Sequence, residues 1–308
     1  MLPKRLNLKR TRASELYYEE RNPSPLELVW LNFRANPLAM AGFYFLGFLG
    51  FISLFAPWVA PFGANEQFTE ALSLPPAWSD DGDLRFLLGT DMLGRDMLSR
   101  LLHGAQLTFG VPLLVVLISA VIGIGLGVAA AVSVGVKSSS LKHFLDVLFS
   151  IPSLLLALII VAIIGPGLLN AVIAIGLVMI PQFLHITRNA VVDELPKDYV
   201  VASKLNGVST LYLLSAVIFP NIVSVLVVSF TLALSAAILD IAALGFLGLG
   251  AQAPAPEWGA MLAQSLEVSY NSPWVMALPG LALFLTLMSV NIVGEALRSA
   301  LQQQRETT

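Results

Sequence analysis

Apolar residues run along this chain in six long blocks separated by polar stretches, at roughly 38–60, 108–134, 143–165, 168–187, 222–246 and 274–296. Blocks of about 20 residues are what a helix rising about 1.5 Å per residue needs to cross about 30 Å of hydrocarbon. The pattern predicts an all-α polytopic membrane protein with six transmembrane helices. Only Gly165-Pro166-Gly167 separates the third block from the fourth, which predicts a tight antiparallel hairpin. The first block begins well into the chain and is too long for a cleavable signal core, so it reads as an uncleaved span.

Smaller features refine this outline. Ahead of the first span, SPLELVWLNFRANP places Leu26, Leu28, Val29, Trp30, Leu31 and Phe33 on a short helix bounded by Pro25 and Pro37, expected to lie along the membrane interface. Residues 1–37 therefore form an N-terminal segment and 38–308 the membrane domain, with a long loop at 61–107. Pro152, Pro181 and Pro279 are expected to interrupt helices, and Gly123, Gly125 and Gly127 supply small-residue spacing for close packing. Such kinks suit a bundle that moves and are equally common in static membrane proteins.

Composition agrees with a bilayer: 56% of residues are apolar, 12% are charged and the mean hydropathy is +0.80. A net charge of −3 and a pI near 5.6 offer no basic field, so nucleic acid is not an expected partner. With no cysteine, disulfides, thiolate nucleophiles and Cys-ligated metal are excluded. The three histidines, His103, His143 and His185, do not pair at ligand spacing, and no metal site is expected. Charge also orients the chain. Of 17 Lys and Arg, only Arg85, Arg95 and Arg100 lie in the 61–107 loop, where seven acids outnumber them. The positive-inside rule puts that loop outside and both termini, with the 189–220 region, in the cytoplasm.

Enzyme signatures such as H-E-x-x-H and G-x-S-x-G are absent. GTDMLGRD, Gly89 to Asp96, has phosphate-loop spacing, but Arg95 stands at the lysine position and Asp96 where a hydroxyl should meet magnesium. It reads instead as a turn pinned by Asp91, Arg95, Asp96 and Arg100. Asp240, in SAAILDIAALGFLGLG, is the one acid well inside the fifth span. It is either a functional group facing a polar path or one partner of a helix–helix hydrogen bond near the outer interface. DYVVASKLNG, Asp198 to Gly207, predicts a short cytoplasmic helix ending in a glycine turn, with Ala202 and Ser203 leaving room for another protein's surface.

These stretches carry a resemblance. YVVASKLNGVSTLYLLSAVIFPN resembles the coupling motif of ABC importer permeases, with Val201-Ala202-Ser203 at its first triplet, Gly207 at its glycine and Val217-Ile218-Phe219-Pro220 at its tail. Val201 stands in place of glutamate and Ser203 in place of the second alanine. FLLGTDMLGRDMLSRLLHGAQLTFG (Phe86 to Gly110) and LGFLGLGAQAPAPEWGAML (Leu244 to Leu262) resemble the outer-loop and second signatures of the C-type permease of dipeptide and oligopeptide systems. Gln106 replaces an arginine and Gly245 a serine of that pattern. The combination is further similar to the Sap branch, associated with peptide sensitivity and polyamine handling.

The resemblance implies an ATP-driven permease of the bacterial inner membrane, moving peptides or small cationic solutes. Its partners would be a homologous B-type permease subunit, two ATP-binding subunits, an extracytoplasmic substrate-binding protein and membrane lipid. This chain would bind no cofactor, ATP and magnesium residing on the partner subunits, and would not itself be an enzyme. Coupling to the ATPase would fall to Asp198, Val201, Ala202, Ser203, Gly207 and Pro220. Gly89, Thr90, Asp91, Gly94, Arg95, Asp96, Ser99 and Arg100 would form a structural or docking motif, and Asp240 would be a candidate on the substrate path. An ion-coupled carrier acting alone, with Asp240 as coupling acid, is the alternative.

Overall fold

A computed structural model of the chain describes residues 25–132 and 151–307, with side chains from 27 to 303. Helix α1 (Pro25–Arg34) turns at Asn36, whose side chain accepts from the Leu38 and Ala39 amides, into α2 (Pro37–Val59). Pro37 at the first helical position has no amide proton to leave unpaired there. After the 61–96 segment, α3 (Met97–Ala105), a π-helical turn (Gln106–Gly110) and α4 (Val111–Val132) form one continuous rod. Then come α5 (Ser153–Ile164), α6 (Leu168–Glu194) and the short α7 (Asp198–Leu205). One helical turn and a second π segment (Leu213–Ile218) lead into α8 (Phe219–Phe246). Helices α9 (Trp258–Ser265) and α10 (Pro273–Thr307) complete the chain.

Among the described residues, five stretches are long and apolar enough to cross a membrane: Pro37–Val59, Met97–Val132, Leu168–Glu194, Thr210–Phe246 and Pro273–Gln303. The third expected span is represented by the 12-residue α5; its first part, 143–150, falls outside the described residues, as do His143, Lys137 and Lys142. Four of the spans run beyond their apolar blocks, because helices continue past the hydrocarbon wherever one face still packs.

The expected proline interruptions are corrected. Pro181 and Pro279 lie inside unbroken helices, and Pro152 caps the start of α5. In a membrane helix, neighbours can accommodate the lost amide, so proline need not end it. Close packing is borne out at two of three glycines. A Cβ on Gly123 would press against Phe183 and the Ile180 carbonyl, and one on Gly127 against the Leu184 carbonyl and Thr187, whereas Gly125 meets nothing. Gly123 and Gly127 thus seat α4 on α6, one helical turn apart. The Gly165-Pro166-Gly167 link does form a hairpin, and Gly167 N donates to the Leu249 carbonyl at 3.0 Å, tying its tip to the end of α8. Helix α1 buries Val29 and Phe33 against Ala39 and Ala300, so it lies along the ends of α2 and α10 with Trp30 and Leu31 exposed.

Candidate functional site

The GTDMLGRD stretch closes on itself. Thr90 and Asp96 form an antiparallel bridge, and Gly89 and Gly94 take positive φ of 76° and 71°. A Cβ at Gly94 would collide with the Phe68 carbonyl, so glycine is needed for both conformation and space. The Asp91 carboxylate accepts from Leu93 N at 2.9 Å, Arg95 N at 3.0 Å and Arg95 Nε at 2.6 Å, and Arg100 Nε stands 3.7 Å away. All three side chains are almost wholly buried. Arg95 continues to Gln264 on α9, Arg100 to the Ala64 carbonyl, and Asp96 caps α3 by accepting from Ser99 N at 2.7 Å. Thr90 and Ser99 hydroxyls bind the backbone of residues 62–74. The charged groups of the motif are buried and bonded mainly within the loop and to α3 and α9, with Asp96 Oδ1 and one Arg100 Nη left without a hydrogen bond among the described residues.

One buried acid here was not singled out in the sequence. Glu257 caps α9, accepting from Gly259 N and Ala260 N at 2.8 Å each, and also accepts from the Thr108 hydroxyl at 3.0 Å, on the first π turn. Thr108 in turn accepts from Trp258 N at 3.0 Å. Burial pushes the Glu257 carboxyl above its ordinary range, while these donors pull it back. The space is made by Gly245, where a Cβ would fall on the Glu257 carboxylate. The signal in the sequence was an acid directly after Pro256 and ahead of an apolar run, an N-cap pattern.

At the opposite end, α7 is held from beneath. Val200 is fully buried in a cluster with Val191, Leu213, Ile218 and Ile222, while Tyr199 OH and Lys197 Nζ (2.6 Å) both bond the Glu194 carboxylate. The helix begins at Asp198, as expected, with Lys197 at the N-cap, and Asp198 is exposed. Gly207 ends the unit with φ 76° in open space. Val201, Ala202 and Leu205 face away from the bundle, with Leu205 84% exposed, and Ser203 is half-buried, bonded to the Tyr199 carbonyl. Pro220 follows the second π segment, whose wider turn accommodates a ring that would otherwise meet the preceding turn's carbonyl.

Asp240, 6% exposed, receives a hydrogen bond from Ser153 on α5 at 3.2 Å. A cavity of about 310 Å³ opens beside Ser153, between α5, α6 and α8.

Residues 123–306 match the family described as "binding-protein-dependent transport system inner membrane component", and residues 24–76 match the "N-terminal TM domain of oligopeptide transport permease C". The chain belongs to this permease family. It is 49% identical to the di/tripeptide transport system permease protein DppC of Pseudomonas aeruginosa over 91% of this chain and 92% of that one. It is 48% identical to the peptide transport system permease protein SapC of Salmonella typhimurium, over 93% and 97%. A solved structure, "inward facing conformations of the MetNI methionine ABC transporter", aligns with TM-score 0.55 at 21% identity, covering 67% of this chain and 97% of that chain, and shows the shared fold. The chain is thus a multi-pass inner-membrane permease of the peptide-transport group.

Within this permease, the eight 89–100 motif residues form one connected unit, and Asp198 to Gly207 form a second. Pro220 lies apart from the second at the start of α8, and Asp240 is in neither.

Proposed function

We propose that this chain is the C-type transmembrane subunit of an ATP-driven importer of peptides or small cationic solutes, working beside a B-type permease, two ATP-hydrolysing subunits and an external binding protein. The names of its relatives support the cargo class. The observation that carries the mechanism is α7: an apolar face of Val201, Ala202 and Leu205 left exposed among the described residues, on a helix braced from behind by Val200 and Glu194. Such a face suits a groove on a cytoplasmic ATPase, and the bracing would pass groove closure to α6 and α8. Asp198, Ser203, Gly207 and Pro220 would shape this coupling unit rather than form its contact face. In this orientation the 61–107 loop and Glu257 lie outside, and both termini lie inside.

Membership in a binding-protein-dependent family favours this reading over an ion-coupled carrier acting alone. Affinity purification of the tagged chain from its native membrane is expected to bring down an ATPase, and the purified complex should take up alanyl-alanine only with ATP and the binding protein. Recovery of the chain alone, with uptake driven by an ion gradient, would overturn the proposal.

A further inference from the structure

Asp240 lies buried in α8, six residues before the helix ends at Phe246. The Gly167–Leu249 hydrogen bond sets the hairpin tip and the end of α8 at one level. At about 1.5 Å per residue Asp240 lies about 9 Å along α8 from its end at Phe246, and Ser153 about 17 Å along α5 from its end at Ile164. A carboxylate offers about four acceptor positions. Among the described residues Asp240 receives one hydrogen bond, from Ser153.

Ser153 also lines the 310 Å³ cavity, as do Gln182, Pro181, Leu177 and Ala236, the last one helical turn before Asp240. Pro181 has no amide proton, so the Leu177 carbonyl lacks its ordinary helical donor. The lining holds Ser153, whose hydroxyl donates to the Asp240 carboxylate behind it, the side-chain amide of Gln182 and Leu177, whose carbonyl has lost its helical donor, with no Lys, Arg or His among the lining residues. Acceptors in excess at low dielectric call for a cation rich in N–H donors.

We infer that this cavity between α5, α6 and α8 is a subsite for a primary ammonium group of the cargo, held by Asp240, Ser153, Gln182 and the Leu177 carbonyl. The inference rests on the transport reading above and adds which group of the cargo is recognised, and where. The ammonium could be a peptide's α-amine or a side-chain or polyamine amine, and the chemistry at the site is the same. On entry it exchanges water for the carboxylate and released carbonyl, and Ser153 is free to turn its hydroxyl toward Gln182.

The test uses the complete complex in proteoliposomes with three probes: alanyl-alanine (α-ammonium), N-acetyl-lysyl-alanine (side-chain ammonium) and N-acetyl-alanyl-alanine (none). Asp240→Asn keeps the shape and removes the charge. It is expected to lower uptake of the ammonium-bearing probes about tenfold or more, the effect of losing a charge-assisted hydrogen bond, and to leave the third probe unchanged. A drop confined to the first or the second probe assigns the ammonium to backbone or side chain. In parallel, modification of Asp240 by dicyclohexylcarbodiimide is followed by mass spectrometry in the unmutated complex, where the two ammonium probes should slow labelling and N-acetyl-alanyl-alanine should not. Equal loss for all three probes, or no protection, overturns the subsite. Absence of uptake of every probe by the unmutated complex would overturn the peptide-import proposal instead, with protection alone then deciding the subsite.

Discussion

The two ends of this permease use similar residues to opposite effect. The 89–100 turn and the α7 unit each combine an Asp, basic residues, a Ser and a positive-φ glycine. In the first, Asp91, Arg95, Asp96 and Arg100 are buried and direct their hydrogen bonds to one another and to residues 62–74, α3 and α9. In the second, only Glu194 and Val200 are buried, and Val201, Ala202 and Leu205 are turned outward. A motif can therefore mark a self-sufficient structural knot or an unfinished surface, and burial of its polar groups tells which.

The largest effect should come from breaking the knot. Asp91→Ala leaves two buried guanidinium groups without their carboxylate, a loss of about 3–5 kcal/mol for a buried pair broken from one side. The expected outcome is loss of folded protein in a detergent-extraction and size-exclusion assay, where Asp83→Asn, removing an exposed partner of Arg85 in the same loop, should elute normally.

Next in size, Gly207→Leu places a side chain where φ is 76°. There is open space around it, so the cost is backbone strain of about 1–2 kcal/mol, not a clash. The variant should insert and purify like the parent while ATP-driven uptake falls several-fold. Normal uptake would detach the turn from coupling.

Glu257 gives a smaller and graded effect. Glu257→Ala strands the Gly259 and Ala260 amides and the Thr108 hydroxyl, at about 1–3 kcal/mol, and Glu257→Gln should recover only part of it, because its one oxygen can replace Oε1 while its NH2 faces the Ala260 amide. Because burial raises this carboxyl in the folded state above its unfolded value of 4.5, its protonation favours folding. Its contribution is complete below about pH 4.5 and is lost as pH rises through the raised folded value. A thermal-melt series against pH should show this slope in the parent and not in Glu257→Gln.

Much of the fold was legible because hydrocarbon selects for long apolar runs: the observed α2, Pro37–Val59, is displaced by one residue from the expected 38–60. Where helices carry polar faces, the runs understate them. The second span begins at Met97 instead of 108, since Arg100 and His103 sit on α3. The Asp91–Arg95 contact was readable because its partners lie four positions apart. Glu257–Thr108 was not, because its partners lie 149 positions apart and meet only when α9 packs against the π turn. Asp240 was visible as an isolated charge, but its neighbours Ser153 and Gln182 look like ordinary polar residues until α5 and α6 are placed beside α8.

That α7 is an unfinished surface completed by an ATPase can be tested through the absence of cysteine, which makes every single-cysteine variant unambiguous. Ala202→Cys and Leu84→Cys, both at exposed positions, would be treated with a short thiol-to-amine cross-linker in the native complex. The account predicts that Cys at 202 captures the ATP-hydrolysing subunit, with a yield that changes when ATP is added, and that Cys at 84 does not. Capture of the ATPase from position 84 and not from position 202 would contradict both the orientation and the coupling role of α7.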